Sequence, residues 1–220
     1  TALTFESTLD GPKSLTIAGA TTQKFKGNVG SVKPLAYLKT SAGQTTLGGS
    51  GSSILVKTAT YQEYNGAVTL DSDATLETVS SAAIAFEDKV KSGSNAHSLE
   101  ITGNAQVHFK KEVGEGIPSL SALTTGVNAT TKISAAQITT SGVQTYGGAV
   151  TLDADATLTA SAVTFTSMLD DSNAGTHSLT IAGTAAQTFN GAVGGTEELK
   201  TLTTGTGLST INGGSVKTTG

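Results

Sequence analysis

Apolar and polar residues alternate along this chain in short runs, and glycine breaks the runs every few residues. Leu15-Thr16-Ile17, Ile54-Leu55-Val56, Ala67-Val68-Thr69-Leu70 and Val163-Thr164-Phe165 are examples. A period of two places one set of side chains on a buried face and the other toward solvent, the mark of a half-buried strand. No long stretch sustains the i, i+3, i+4 spacing of an amphipathic helix. The 39 Thr and 27 Gly against 3 Pro agree with β-branched strands separated by tight turns.

The pattern recurs with a period of about 80 residues, the signature of an elongated array. Ser14 to Gly19 read Ser-Leu-Thr-Ile-Ala-Gly, Ser98 to Gly103 read Ser-Leu-Glu-Ile-Thr-Gly, and Ser178 to Gly183 return to the first form. Phe25-x-x-x-Val29-Gly30 matches Phe109-x-x-x-Val113-Gly114 and Phe189-x-x-x-Val193-Gly194, and a Leu-x-x-Leu pair follows each at Leu35, Leu120 and Leu199. The sequence units are 1–81, 82–160 and an incomplete 161–220, within a single domain spanning 1–220.

A shorter period runs inside the long one. Phe5, Phe25, Tyr64, Phe86, Phe109, Tyr146, Phe165 and Phe189 recur at roughly 20 residues or twice that, with Leu47, Ile133 and Ile211 filling gaps. Hairpins give no reason for such recurrence. Stacked coils do, because each turn sets like positions above one another about 4.8 Å apart. The expected fold is all-β: a right-handed parallel β-helix, or β-solenoid, with about four turns of about 20 residues per unit. Ten or eleven turns would reach on the order of 50 Å. A single turn cannot fold alone, so stability comes from stacked neighbours. With no polar cap visible at either end, the chain is expected to be an excerpt of a longer protein.

Composition narrows the function classes. The net charge is −4 and all 13 basic residues are Lys, which argues against nucleic acid, whose recognition relies on basic clusters and Arg forks. No apolar run is long enough to insert in a membrane. The absence of Cys suits a secreted protein that needs no disulfides.

Candidate chemistry is sparse. The pairs Asp71/Asp73 and Asp153/Asp155 are weak Ca²⁺ candidates, but each stands in a turn of the repeat, and a full site needs six or more oxygens. Asp170-Asp171 reads as a loop. His97 and His177 are equivalent positions that Lys13 occupies in the first unit, so no metal centre is expected there. No nucleophile stands in a Gly-x-Ser-x-Gly elbow beside a His. Catalytic residues and cofactors are therefore expected to be none. Tyr37 is replaced by Ala122 and Thr201 in later units, so it reads as an exposed side chain able to stack on a sugar; Tyr61, opposite Val143, is ambiguous. Threonine pairs such as Thr157/Thr159 and Thr203/Thr204 fall at different places in successive turns and read as solvent-facing β-formers.

Gln187 to Gly195, Gly147 to Leu152 and Ile211 to Val216 together resemble the β-strand repeats of very large bacterial exoproteins of the filamentous-haemagglutinin type. That resemblance implies a rigid shaft on the cell surface. The expected function is a structural spacer of a secreted or cell-surface adhesin, without catalysis. The alternative is a binding module for carbohydrate or ice on a Thr-rich solenoid face. Expected partners are neighbouring repeats of the same chain, surface glycans or other cells, and end-to-end copies of itself.

Overall fold

The computed structural model describes residues 2–19, 22–49, 51–184 and 186–220. Among them lie 25 short strands and no helix, and every strand pairing is parallel. The chain coils as a β-solenoid of about nine turns with about 22 residues per turn.

Each turn visits three sheets in order. The first face stacks Ala2–Phe5, Thr22–Phe25, Thr45–Leu47, Val68–Leu70 and Val90–Ser92; bridges through Val113 then carry it to Gln137–Thr139, Ala156–Thr159, Ser178–Ala182 and Thr201–Thr204. The second begins at the bridging residues Leu9 and Val29. It continues through Ile54–Thr58, Ala74–Thr78, Ser98–Gly103, Ala122–Thr125, Val143–Tyr146, Ala162–Phe165, Ala186–Phe189 and Ser209–Ile211. The third stacks Leu15–Thr16, Leu38–Lys39, Gln62–Tyr64, Ala83–Phe86, Gln106–Phe109, Thr130–Ile133, Val150–Leu152 and Leu169–Asp171, then the bridges at Val193 and Val216.

The slightly longer turn gives about nine turns where ten or eleven were expected, and it makes the coil and the sequence unit incommensurate. The register offset also changes along the rod, being shorter at Val150↔Leu169 than at Ala74↔Leu99. From Phe5 to Phe86, and again from Phe86 to Phe165, the chain passes eleven strand or bridge positions at three per turn, or three and two-thirds turns. Equivalent residues therefore land on the first, third and second faces in succession.

The aromatic core follows this rotation: like residues stack on like, as the repeat predicts, in three short stacks on three faces. Phe5 and Phe25 stack at 4.8 Å on the first face, followed by Leu47 and Leu70. Tyr64, Phe86 and Phe109 stack at 5.3 Å each on the third, followed by Ile133 and Leu152. Tyr146, Phe165 and Phe189 stack at 5.1 and 5.3 Å on the second, followed by Ile211. Seven of the eight repeating aromatics are fully buried, and Phe5 packs half-buried against the same continuous core. Fully burying one such ring stabilises by about 1.5–3 kcal/mol.

The repeated Val-Gly marks a corner. Val29, Val113 and Val193 each make an isolated parallel bridge, and the next residue, Gly30, Gly114 or Gly194, turns with φ of +71°, +74° or +64°. A Cβ at these glycines would collide with the carbonyl of Lys57, Thr139 or Lys217 one turn on. Glycine is required twice over there, for its left-handed backbone and for the approach of the next turn.

Candidate functional site

On the outer side of the third face, side chains form columns one rung apart. One column runs Tyr37, Tyr61, Ala83, Gln106, Thr130; the next runs Lys39, Glu63, Ala85, His108, Lys132. Tyr37 and Tyr61 stack with centroids 4.6 Å apart and planes 12° from parallel. Hydrogen bonds to Thr16 and Ser14 hold the Tyr37 phenol below its usual pKa, whereas partial burial and the neighbouring Tyr37 push Tyr61 up. Tyr37 is thus a half-buried ring clamped against a second tyrosine rather than a lone exposed one.

Both columns lose their side chains at the strand Ala83–Phe86. A depression of about 460 Å³ opens there, lined by Tyr61, Glu63, Ala83, Ala85 and Glu87. A second, of about 340 Å³, continues from Ala83 to Gln106, His108, Thr130 and Lys132. Together they form a notch with two alanines as its floor. Ion pairs frame it: Lys39 to Glu63 at 2.9 Å, Lys110 to Glu87 at 2.6 Å and Lys132 to Asp153 at 3.0 Å. Burial, helped by Lys110 and Lys132, holds the His108 pKa below its usual value, and its Nε2 lies 2.8 Å from Ser134 Oγ. His108 therefore presents a neutral ring at pH 7.

The acidic pairs are engaged by their own scaffold. Asp71 pairs with Lys24 at 2.8 Å and Asp153 with Lys132, while Ser134 Oγ donates to Asp153 at 3.0 Å. Asp73 and Asp155 each accept the backbone N–H that opens a strand one turn on, from Ser98 at 2.8 Å and Ser178 at 2.7 Å. Among the described residues no three His, Asp or Glu side chains gather as a metal site. His97 lies 3.6 Å from Asp73, and His177 Nδ1 lies 2.6 Å from Asp171. Asp170 and Asp171, read as loop from sequence, close the strand Leu169–Asp171 and are both buried. Asp171 faces inward because the loop of residues 172–177 wraps over it: the N–H groups of Asn173, Thr176 and His177 all donate to its carboxylate.

Threonine is more ordered than the sequence suggests. On the second face Thr124, Thr145, Thr164, Thr188 and Thr210 stand directly above one another, one per turn. Ala122, Val143, Ala162 and Ala186 form the column beside them. On the first face Thr157, Thr180 and Thr203 align in the same way.

The chain is similar to Outer membrane protein A of Rickettsia rickettsii. The two are 28% identical over 224 residues, covering 98% of this chain and 9% of that protein. The chain thus spans about a tenth of the length of the relative it matches. It matches no known family profile and no solved structure.

Tyr37 stands out in the sequence, Tyr61 is ambiguous there, and nothing in the sequence marks Ala83 or Ala85. Ala83 follows Tyr61 by one turn of the coil, a relation that becomes readable only once the length of that turn is known.

Proposed function

We propose that this chain is a structural segment of a bacterial cell-surface protein, a stiff solenoid spacer that acts through length and repetition and carries no catalytic centre. The observation that carries this reading is the uninterrupted core: buried apolar and aromatic residues recur from unit to unit around all three faces. The side chains outside do not keep the repeat, as Tyr37, Ala122 and Thr201 illustrate. The outer-membrane relative, of which the chain matches a small fraction along its own whole length, supports a surface location and an adhesin-like shaft. Nine steps of about 4.8 Å give a rod on the order of 43 Å. Solution scattering on the purified chain, extrapolated to infinite dilution so that end-to-end association is suppressed, should return an elongated single-chain particle of that length. Incubation with bacterial and host polysaccharides should release no reducing ends. A globular profile or a depolymerised glycan would overturn the reading.

A second reading rests on the threonine ladder of the second face. Five threonines spaced one rung apart beside a column of alanines and one valine repeat with the regularity that an ice-binding module needs. Thermal hysteresis of the purified chain, lost on Thr164→Lys, is the result that would establish it.

A further inference from the structure

We propose that the notch over Ala83 and Ala85 is a saccharide subsite that takes one neutral hexopyranose ring, laid flat on the open face of Tyr61. In a solenoid each outward side chain normally covers the one below it. Tyr61 is covered below by Tyr37, but the rung above it is Ala83, so one face of a held aromatic ring is left bare. The next side chain in that column, Gln106, is two rungs from Tyr61, about 9.6 Å along the axis. A ring resting about 3.5–4.0 Å above Tyr61 fills the missing rung and lies within reach of the Gln106 amide.

The rim selects the chemistry of that ring. Glu63 and Glu87 each spend part of their acceptor capacity on one lysine and retain lone pairs for hydroxyl donors. Gln106 offers both donor and acceptor, and the half-exposed His108 stands in the neighbouring column. Because the acids are paired with Lys39 and Lys110, the notch carries no surplus charge to attract a phosphate or uronate. An aromatic peptide side chain would stack equally well on Tyr61 but would leave these polar groups without partners. A polyhydroxylated ring with an apolar C–H face satisfies both demands. One such contact implies weak binding, with Kd on the order of 1 mM. The shaft reading does not depend on this subsite.

The test titrates maltotetraose, cellotetraose, mannotetraose and galactotetraose into the 220-residue chain. Tyrosine fluorescence provides the readout, since the chain has no Trp and 4 Tyr. At least one tetrasaccharide should bind, and Tyr61→Ala should weaken it at least about tenfold. Ala83→Tyr extends the outer stack by one ring, filling the notch without touching the core; it should abolish binding while keeping the thermal midpoint. Should that variant lose its cooperative transition, Ala85→Gln fills the adjacent column and must weaken binding instead. The proposal is overturned if no tetrasaccharide binds up to about 20 mM. Unchanged binding in the folded filled variants, or binding of the peptide Gly-Tyr-Gly with none of the sugars, would overturn it as well.

Discussion

Gln62 and Gln144 sit wholly inside the solenoid, each two residues before a buried tyrosine. Their amides are fully used. Gln62 Nε2 donates to the carbonyls of Val56 at 3.0 Å and Glu77 at 2.9 Å, and the Tyr64 hydroxyl donates to Gln62 Oε1 at 2.9 Å. Gln144 repeats this with Ile138, Thr159 and Tyr146 at 3.1, 3.1 and 3.2 Å. Burial pushes both phenols above their usual pKa, so they remain donors throughout the accessible range. Where the aromatic is Phe, another group must serve: Ser41 donates to Gln23 Oε1 at 2.8 Å, whereas Gln187 Oε1 has no partner among the described residues. Tyr64→Phe should therefore destabilise by about 1–3 kcal/mol. Phe189→Tyr should stabilise by about 0.5–1.5 kcal/mol by supplying the missing donor. Denaturant unfolding of the two variants measures both. Asp171, 2% exposed, sets an acid limit. Burial opposes its charge, but the His177 N–H and ring, with the Asn173 and Thr176 N–H groups, outweigh that and hold its pKa below the usual value. Its folded pKa lies below its unfolded one, so its contribution is complete above about pH 4 and is lost as pH falls through the folded value. Thermal midpoints should stay level above about pH 5 and fall below about pH 4, with a shallower fall in Asp171→Asn.

At the scale of strands and corners, the sequence showed element type better than placement. Alternation in Val163-Thr164-Phe165 or Ala67-Val68-Thr69-Leu70 was enough to declare strands, because inward and outward sides differ sharply in polarity. The burial of Gln23, Gln62, Gln144 and Gln187 was hidden, since a polar residue at an inward position looks like the end of a run. Val-Gly appeared as a repeat without a reason. The reason is the corner, where the N–H groups of Gly30, Gly114 and Gly194 donate to the carbonyls of Leu9, Val90 and Leu169 at 2.8, 2.7 and 2.8 Å. Gly114→Ala must strain the backbone and push against the Thr139 carbonyl together. A loss of more than about 2 kcal/mol is expected in equilibrium unfolding. At Gly183, also left-handed at +83° but open around its Cα, the same substitution should cost only the backbone part, about 1–2 kcal/mol.

For the molecule as a whole, the mismatch between unit and turn explains why the fold was legible and the outer face was not. The inward sequence pattern is the same whichever sheet it joins, so the core could be read from the repeat alone. Which outward residues become neighbours depends on the register offset, and that offset varies with loop length from turn to turn. The column of five threonines and the missing rung above Tyr61 both lay behind that variation. Inward positions at the two ends remain open, Leu3 at 40% and Ile211 at 53%, next to unpaired strand edges. As an isolated 220-residue chain the protein should self-associate end to end. Sedimentation should show this, and Ile211→Lys should reduce it.

Deleting one unit tests the rotation itself. Removal of residues 82–160 joins residue 81 to residue 161, so Ala162–Phe165 takes the place of Ala83–Phe86 after the strand Ala74–Thr78. Phe165 should then stack on Tyr64 as Phe86 does now, moving from the second face to the third. Because the unit spans three and two-thirds turns, the shortened chain should fold without a break. Its rod should lose about 18 Å, and everything beyond the junction should turn by a third of a revolution about the axis. The Phe189 stack should follow onto the third face, and Thr164 should sit above Glu63 instead of Thr145. A cysteine pair engineered at Glu63 and Thr164 in the deletion chain should crosslink under mild oxidation, whereas the same pair in the full chain, on different faces, should not. Failure of the deletion chain to crosslink while it unfolds cooperatively would show that the unit does not rotate as the strand pairing requires.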